Sequence, residues 1–229
     1  MLNTAEAARF LRVSQASIRR WADSGRLRVS RVGGRRERRF HESDLLAFME
    51  ESTSAGRSES QVTVGGVAVP VPGHLATFYT SDAGGMRLSV PFLAEGLRLA
   101  QPCILVTTEP LASSYARALN GLHRNLTVVA FKGGTASEAI AEWEQKLSEF
   151  VAEGATVIRV VGEMKTERTM FRSEEEMLRY EEAFQLMSKR YPVAVICQYD
   201  VREFDGVALV RALKAHPDMF ELRFGAFLN

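Results

Sequence analysis

Residues 14–40 read SQASIRRWADSGRLRVSRVGGRRERRF, and their spacing decides the fold of the first fifty residues. Ser14 is a good helix N-cap. Behind it Ile18, Trp21 and Ala22 recur at i, i+3 and i+4, the period of a helix with one buried face. Ala16, Arg20 and Asp23 fall on the opposite face, with Gln15, Ser17 and Arg19 on its flanks. Gly25 is placed to end the helix. Residues 26–40 then read as two short strands about Gly33-Gly34, a pair suited to a tight hairpin turn.

Working outward, Asn3 and Glu6 have the spacing of a capping box, and Ala7, Ala8, Phe10 and Leu11 supply the apolar face of a first helix. Downstream, HESDLLAFMEES (41–52) opens a third helix capped near Ser43, with Leu45, Leu46, Phe48 and Met49 apolar. Helix, turn, helix, β-wing, helix is a winged helix-turn-helix. Trp21 and Phe40 sit on the inward side of the periodicity, so they are expected in the core rather than stacked on bases.

The charge supports a nucleic-acid partner. From Arg9 to His41 there are eleven arginines, no lysine, and only Asp23 and Glu37 as acids. Residues 1–51 carry eleven arginines against seven acids, a net of +4, while the remainder carries 18 basic and 21 acidic groups, a net of −3. Such an asymmetry implies two modules with different partners. Arginine's planar fork grips a phosphate or a guanine with two bonds. Gln15, Ser17, Arg19 and Arg20 are therefore candidates for reading bases of double-stranded DNA in the major groove. Arg35, Arg36 and Arg38 on the wing are candidates for phosphates or the minor groove.

The 229 residues suit a small domain plus a medium one. STSAGRSESQVTVGG (52–66) is rich in Ser, Thr and Gly, and VAVPVPGH (67–74) is extended by its prolines, so residues 52–72 are expected to be a flexible linker between a domain over 1–51 and one over 73–229. No apolar run reaches the length of a membrane span, and the N-terminus lacks the order of a signal peptide, so a cytoplasmic protein is expected. Cys103, Cys197 and the four histidines show no disulfide framework and no metal-ligand spacing, so neither metal nor cofactor is expected.

Beyond residue 73, short apolar runs at 75–80, 103–108, 126–131, 155–162 and 193–200 alternate with helical patterns, and a last strand is expected near FELRFGAFL. This predicts an α/β domain with a mostly parallel sheet covered on both faces. In such sheets ligands bind beyond the carboxyl ends of the strands, which nominates TSDAGGM (80–86), TTEP (107–110), GEMKTER (162–168) and QYDVREF (198–204). TSDAGGM occupies the place of a phosphate loop but lacks the Gly-x4-Gly-Lys-Ser/Thr pattern, so nucleotide hydrolysis is not expected. The candidate effector-binding residues are His74, Tyr79, Ser81, Asp82, Arg159, Glu163, Met164, Tyr199 and Asp200. His74 has a structural hydrogen-bonding role as its alternative. Arg159, a lone charge in an apolar strand, needs a partner such as Glu181 or Asp200 and is either a buried pair or a pocket cation. Cys103 and Cys197 read as core thiols, and His216-Pro217 as a helix stop.

Two resemblances extend this reading. LNTAEAARFLRVSQASIRRWADSGRLRVSRVGGRRERRFHESDLLAFM resembles the MerR-related and excisionase-type winged helix-turn-helix, through its Thr-x-x-x-Ala start, Val-Ser, Arg-Trp, Gly-x-Leu, Gly-Gly and Arg-Arg-aromatic pieces. Residues 73–217 resemble the MEDS sensory domain of methanogens, methylotrophs and the dichloromethane-degradation repressor family. The matching pieces are His74 before Phe78-Tyr79, Pro-Phe-Leu and Glu-Gly in the next helix, Arg-Val-x-Gly-Glu-Met, Tyr-Glu, Cys-Gln-Tyr-Asp and a late His-Pro. The usual Cys near the first strand is absent, with Ala76 and Thr77 standing there. The resemblance implies a RecA- or KaiC-like α/β sandwich without a Walker A loop, sensing a small molecule such as a one-carbon or hydrocarbon derivative. The expectation is a homodimeric, non-enzymatic, ligand-responsive transcription regulator. The alternatives are a nucleotide-driven switch coupled to DNA binding, or an excisionase-like architectural protein.

Overall fold

The computed structural model describes residues 1–11, 13–23, 27–32, 37–46, 48, 60–222 and 224–228. The chain divides into two compact units, Met1–Ser58 and Glu59–Asn229.

The first unit comprises helix α1 (Thr4–Phe10), helix α2 (Gln15–Asp23), strands β1 (Ser30–Val32) and β2 (Glu37–Arg39), and a helical stretch α3 over residues 42–46. The expected capping box is present: Asn3 Oδ1 accepts from the Ala5 and Glu6 amides at 2.9 Å, and Glu6 Oε2 accepts from the Asn3 amide at 2.8 Å. Ser14 Oγ accepts from the Ser17 amide at 3.1 Å at the head of α2. Ala7, Ala8, Ile18, Ala22, Leu27, Phe40 and Leu45 form the core, and the Trp21 and Phe48 rings lie 5.0 Å apart beside it. Strands β1 and β2 pair antiparallel with Arg31 opposite Arg38, and Leu2 bridges to Phe40. Helix α3 starts before Ser43, with the His41 carbonyl accepting from Asp44 and Leu45. Of the apolar residues of α3, Leu45 is buried and Leu46 is exposed. Gly25, Gly33-Gly34, Arg35, Arg36 and Met49 lie outside the described residues.

The second unit opens with a hairpin, β3 (Gln61–Val64) against β4 (Val67–Pro70). There follow β5 (Gly73–Tyr79), α4 (Asp82–Arg98), β6 (Cys103–Val106), α5 (Leu111–Ala118), β7 (Leu126–Val129) and α6 (Ala136–Ala152). The unit continues with β8 (Ile158–Glu163), a single turn α7 (Met164–Glu167), α8 (Glu174–Ser188), β9 (Val193–Asp200) and α9 (Gly206–Ala215). Strands β5 to β9 form one parallel sheet in the order β5-β9-β8-β6-β7. Every residue of β5, β6, β8 and β9 is buried, as a sheet covered on both faces requires. Helix α4 packs with α5, and α8 packs with α6 and α9. From β6 the chain runs outward to β7, and from β8 it runs the other way to β9. The adjacent carboxyl ends of β6 and β8 therefore form a topological switch point, where ligands of α/β sheets bind.

Two expectations are corrected. Over residues 61–70 the expected linker is the β3–β4 hairpin, and Val62, Val64, Val69 and Val71 are buried in the core of the second unit. Its turn, Gly65-Gly66, has φ of +57° and +79°, the double positive φ of a two-residue hairpin turn. Alternating valines around Gly-Gly outweigh a linker-like composition because they bury one face. The other correction concerns the last strand. The segment near FELRFGAFL instead forms 3-10 turns, Pro217–Glu221 and Phe224–Phe227, with one bridge between Phe78 and Leu228.

Candidate functional site

A cavity of about 390 Å³ opens at the carboxyl ends of β5, β6 and β8. Tyr79 reaches it from the end of β5, Asp82, Gly85 and Met86 from the first turns of α4, and Glu163, Lys165 and Thr166 from β8 and α7. Thr108 to Leu111 and Ser114 close it from the loop after β6 and from α5. Among the described residues that line it there is no histidine or cysteine.

Glu163 is the chemical centre. It ends β8 with 2% of its surface exposed. The Tyr115 hydroxyl and the Gln198 amide, the latter at 2.6 Å, donate to its Oε1. The Tyr79 hydroxyl donates to its Oε2 at 3.4 Å. Burial raises the carboxyl to about 7, against the pull of these donors and of Lys165. Near neutrality the group is therefore shared between acid and carboxylate, able to donate or accept a hydrogen bond. Burial and the Glu163 charge push both phenols up, so Tyr79 and Tyr115 stay protonated donors. Gly85 makes room for this arrangement, because a Cβ there would meet the Tyr79 ring at 3.1 Å.

A second charged group borders the cavity. Asp200, at the end of β9, accepts from Arg202 Nε at 2.8 Å, Arg202 Nη2 at 2.7 Å and Lys165 Nζ at 3.3 Å. Arg202 also reaches Asp82 at 2.6 Å. Its hydrogen bonds hold the Asp200 carboxyl down to about 2 and hold Asp82 below its ordinary range. Asp200 thus positions Lys165, which faces the cavity. With Met86, Pro110 and Leu111 on the other side, the cavity suits a small molecule with one polar end.

The nine effector candidates separate. Tyr79, Asp82 and Glu163 line the cavity, and Asp200 stands behind Lys165. Ser81 caps α4, accepting from the Gly84 amide at 3.2 Å, and borders a separate shallow groove. Met164 is fully buried at the start of α7, outside the cavity lining. Tyr199 turns to the opposite face of the sheet and donates to Glu181 at 3.2 Å. His74 lies near the amino end of β5, fully buried, with Nδ1 2.8 Å from Gln185 Oε1 and Nε2 3.2 Å from Cys197 Sγ. Arg159 is neither a pocket cation nor a partner of Glu181 or Asp200. It binds Glu95 at 2.7 Å, Gln101 at 2.8 Å and the Phe92 carbonyl at 2.9 Å, two residues into β8 and far from its carboxyl end. Strand periodicity sets His74 and Tyr199 apart from Tyr79, Glu163 and Asp200, because alternate residues face opposite layers, whereas Arg159 shares the Glu163 face and is separated along the strand. Lys165, Thr108, Glu109 and Gln198 fall in the segments nominated at strand ends, whereas Tyr115 is seen only through its contacts with Glu163 and Gln198.

On the first unit, α2 exposes Gln15, Ala16, Arg19 and Arg20, with Ser17 half-buried. Arg19, Arg31, Arg38 and Arg39 border a concave surface beside Asn3, Thr4 and Ala5. Arg38 donates to Asp23 at 2.6 Å, and Arg31 lies 3.8 Å from the same carboxylate, which ties the strand pair to α2.

Comparison with known proteins agrees with both units. Residues 73–217 match the family model of the methanogen/methylotroph, DcmR sensory domain (MEDS), and residues 1–53 match that of a helix-turn-helix domain. The chain is 31% identical over 243 residues to the transcriptional repressor DcmR of Methylorubrum extorquens (strain DSM 6343 / CIP 106787 / DM4), covering 96% of this chain and 91% of that protein. With these matches covering both units, the chain belongs to the MEDS sensory-domain family, here joined to an N-terminal helix-turn-helix domain.

Proposed function

We propose that this protein is a cytoplasmic, homodimeric transcriptional repressor, as DcmR is named, whose affinity for DNA responds to a small molecule held in the cavity around Glu163. The observation that carries the reading is a buried carboxyl, held by three side-chain donors and facing a cavity of about 390 Å³, whose burial raises it to about 7. Such a group binds a small neutral polar compound by matching its own protonation to the ligand. A hydrocarbon derivative suits the mixed lining, and a one-carbon compound would fill only part of the volume. In this reading α2 enters the major groove with Gln15, Ser17, Arg19 and Arg20 toward bases, and Arg35, Arg36 and Arg38 lie toward phosphates. Effector binding then shifts DNA affinity by a coupling of ~1–3 kcal/mol, about 5–150-fold.

A nucleotide fits less well. Helix α4 starts at Asp82, three residues after the end of β5, and Asp82, Glu109 and Glu163 put carboxylates at the cavity. The test is a thermal-shift screen of one-carbon, halogenated and magnesium-nucleotide compounds, followed by fluorescence anisotropy on the promoter DNA of the protein's own gene. A small polar compound that raises the melting temperature and changes DNA affinity is expected. Stabilisation by magnesium-ATP alone would replace this reading with the nucleotide switch.

A further inference from the structure

On the face of the sheet opposite the cavity, four side chains from four elements converge. We propose that His74, Glu181, Cys197 and His216 form a transition-metal site that takes zinc in tetrahedral coordination. One ligand atom from each lies within 4.8 Å of the others, and all four residues are fully or almost fully buried. His74 Nε2 is 3.2 Å from Cys197 Sγ and 4.0 Å from Glu181 Oε2, and His216 Nε2 is 3.2 Å from Glu181 Oε2. Ligand atoms of a tetrahedral zinc, bound at about 2.0–2.3 Å, stand roughly 3.3–3.8 Å apart. A contraction of about 1–1.5 Å along the longest edges therefore closes the site.

The hydrogen bonds around the cluster prepare it for a cation. His216 Nδ1 is 2.7 Å from the Ala212 carbonyl, which only accepts, so the proton sits on Nδ1 and the Nε2 lone pair points inward. His74 is oriented the same way by Gln185 Oε1. An outer acceptor on Nδ1 that turns Nε2 toward the metal is the usual outer shell of a ligating histidine. The Tyr199 hydroxyl donates to Glu181 and fixes the carboxylate. His216 Nε2 is a buried nitrogen with no hydrogen-bond partner, and in this tautomer its lone pair faces those of Glu181 Oε2, 3.2 Å away. A divalent cation answers all of them. On binding, the Cys197 S–H bond breaks, the proton leaves to solvent, and the sulfur pair is donated to the metal. One thiolate, one carboxylate and two neutral imidazoles then balance the charge of a divalent cation, so the buried site is electrically neutral and avoids the large penalty of an uncompensated interior charge. With all four positions supplied by protein, the site is of the closed, structural kind. It would bolt β5 and β9 to α8 and to the end of α9.

The experiment uses the full-length chain without an affinity tag. Elemental analysis after desalting is expected to find stoichiometric zinc, retained in Cys103→Ser and lost in Cys197→Ser and His216→Ala. Cobalt added to the metal-free protein should give a thiolate-to-cobalt charge-transfer band and tetrahedral d–d bands. The chain has two cysteines, so a thiolate band that survives Cys103→Ser identifies Cys197 as its source even where the ligand variants fail to fold. Absence of zinc as isolated, together with no uptake of zinc or cobalt by protein whose circular dichroism shows it folded, overturns the proposal. A cobalt spectrum without the thiolate band overturns the ligand set.

Discussion

Gln198 Nε2 donates to Glu163 Oε1 at 2.6 Å, joining the carboxyl ends of the neighbouring strands β9 and β8 beneath the cavity. The amide also donates to the Tyr115 hydroxyl at 2.9 Å, and that hydroxyl donates to Glu163. One carboxyl thus organises side chains from β5, α5 and β9, which makes its protonation the property most worth testing.

Glu163→Gln replaces a titrating group by a neutral one. The Glu163 carboxyl rises from 4.5 to about 7 on folding, because burial disfavours its charge. The folded chain therefore keeps a proton that the unfolded chain has released. The stability this contributes is full below pH 4.5 and is lost as pH rises through about 7. The loss is on the order of 3 kcal/mol. Melting curves across this range should fall more steeply for the wild type than for the variant, and the variant should be the more stable at the alkaline end. Effector affinity should lose its pH dependence in the same variant.

Arg159 is an anchor, so its removal should leave effector binding intact. Arg159→Ala removes the guanidinium's bonds to Glu95, Gln101 and the Phe92 carbonyl and opens space against the Phe92 ring, 4.9 Å below the guanidinium. A loss of about 2–4 kcal/mol in urea unfolding is expected. Gly96→Ala should also destabilise, by about 1–3 kcal/mol, because its Cβ would lie 2.5 Å from Arg159 Cδ. An altered effector affinity in folded Arg159→Ala protein would contradict the assignment.

DNA binding should divide between wing and helix. Replacing Arg35 and Arg36 together by Ala is expected to weaken binding to all sequences and to flatten the salt dependence by about 2. Arg19→Ala or Arg20→Ala should instead relax preference at one base pair by about 1–3 kcal/mol. Anisotropy titrations at several salt concentrations, on matched and scrambled sites, separate the two.

The hairpin sets where the second domain begins. A chain starting at residue 60 should unfold cooperatively. One starting at 73 exposes the core surface that Val62, Val64, Val69 and Val71 cover, and should melt lower or aggregate. Equal melting temperatures would show that the hairpin adds nothing to the core.

The helix-turn-helix was legible because its signals are local. Asn3 and Glu6 cap within one turn, Ser14 caps the next helix, and Ile18 and Ala22 repeat at helical spacing. The parallel sheet was legible for a similar reason, since continuous apolar runs between amphipathic helices leave few other arrangements. The hairpin at 61–70 is hidden by a Ser-, Thr- and Gly-rich composition, although its alternating valines around Gly-Gly bury one face. Of the apolar pair Leu45 and Leu46, only Leu45 turns toward the core, and which of the two does so is set by packing rather than by residue type.

By itself, then, the sequence determined two modules, their fold classes, the basic character of the first, and Tyr79 and Glu163 at strand ends with Asp82 in the segment that follows the first. What only the tertiary structure decided is which side of the sheet each strand-end residue faces and what it meets there. Tyr199 and Asp200 are neighbours in the chain, yet one joins Glu181 on one face and the other joins Lys165 and Arg202 by the cavity. His74, Glu181, Cys197 and His216 are scattered over more than a hundred residues and meet within 4.8 Å. The reason is physical. Caps and periodicities act over a few residues and leave their record in order along the chain. A cavity or a ligand set is made by contacts across strands and between layers, where sheet order and the alternation of faces bring together groups that have no spacing in common.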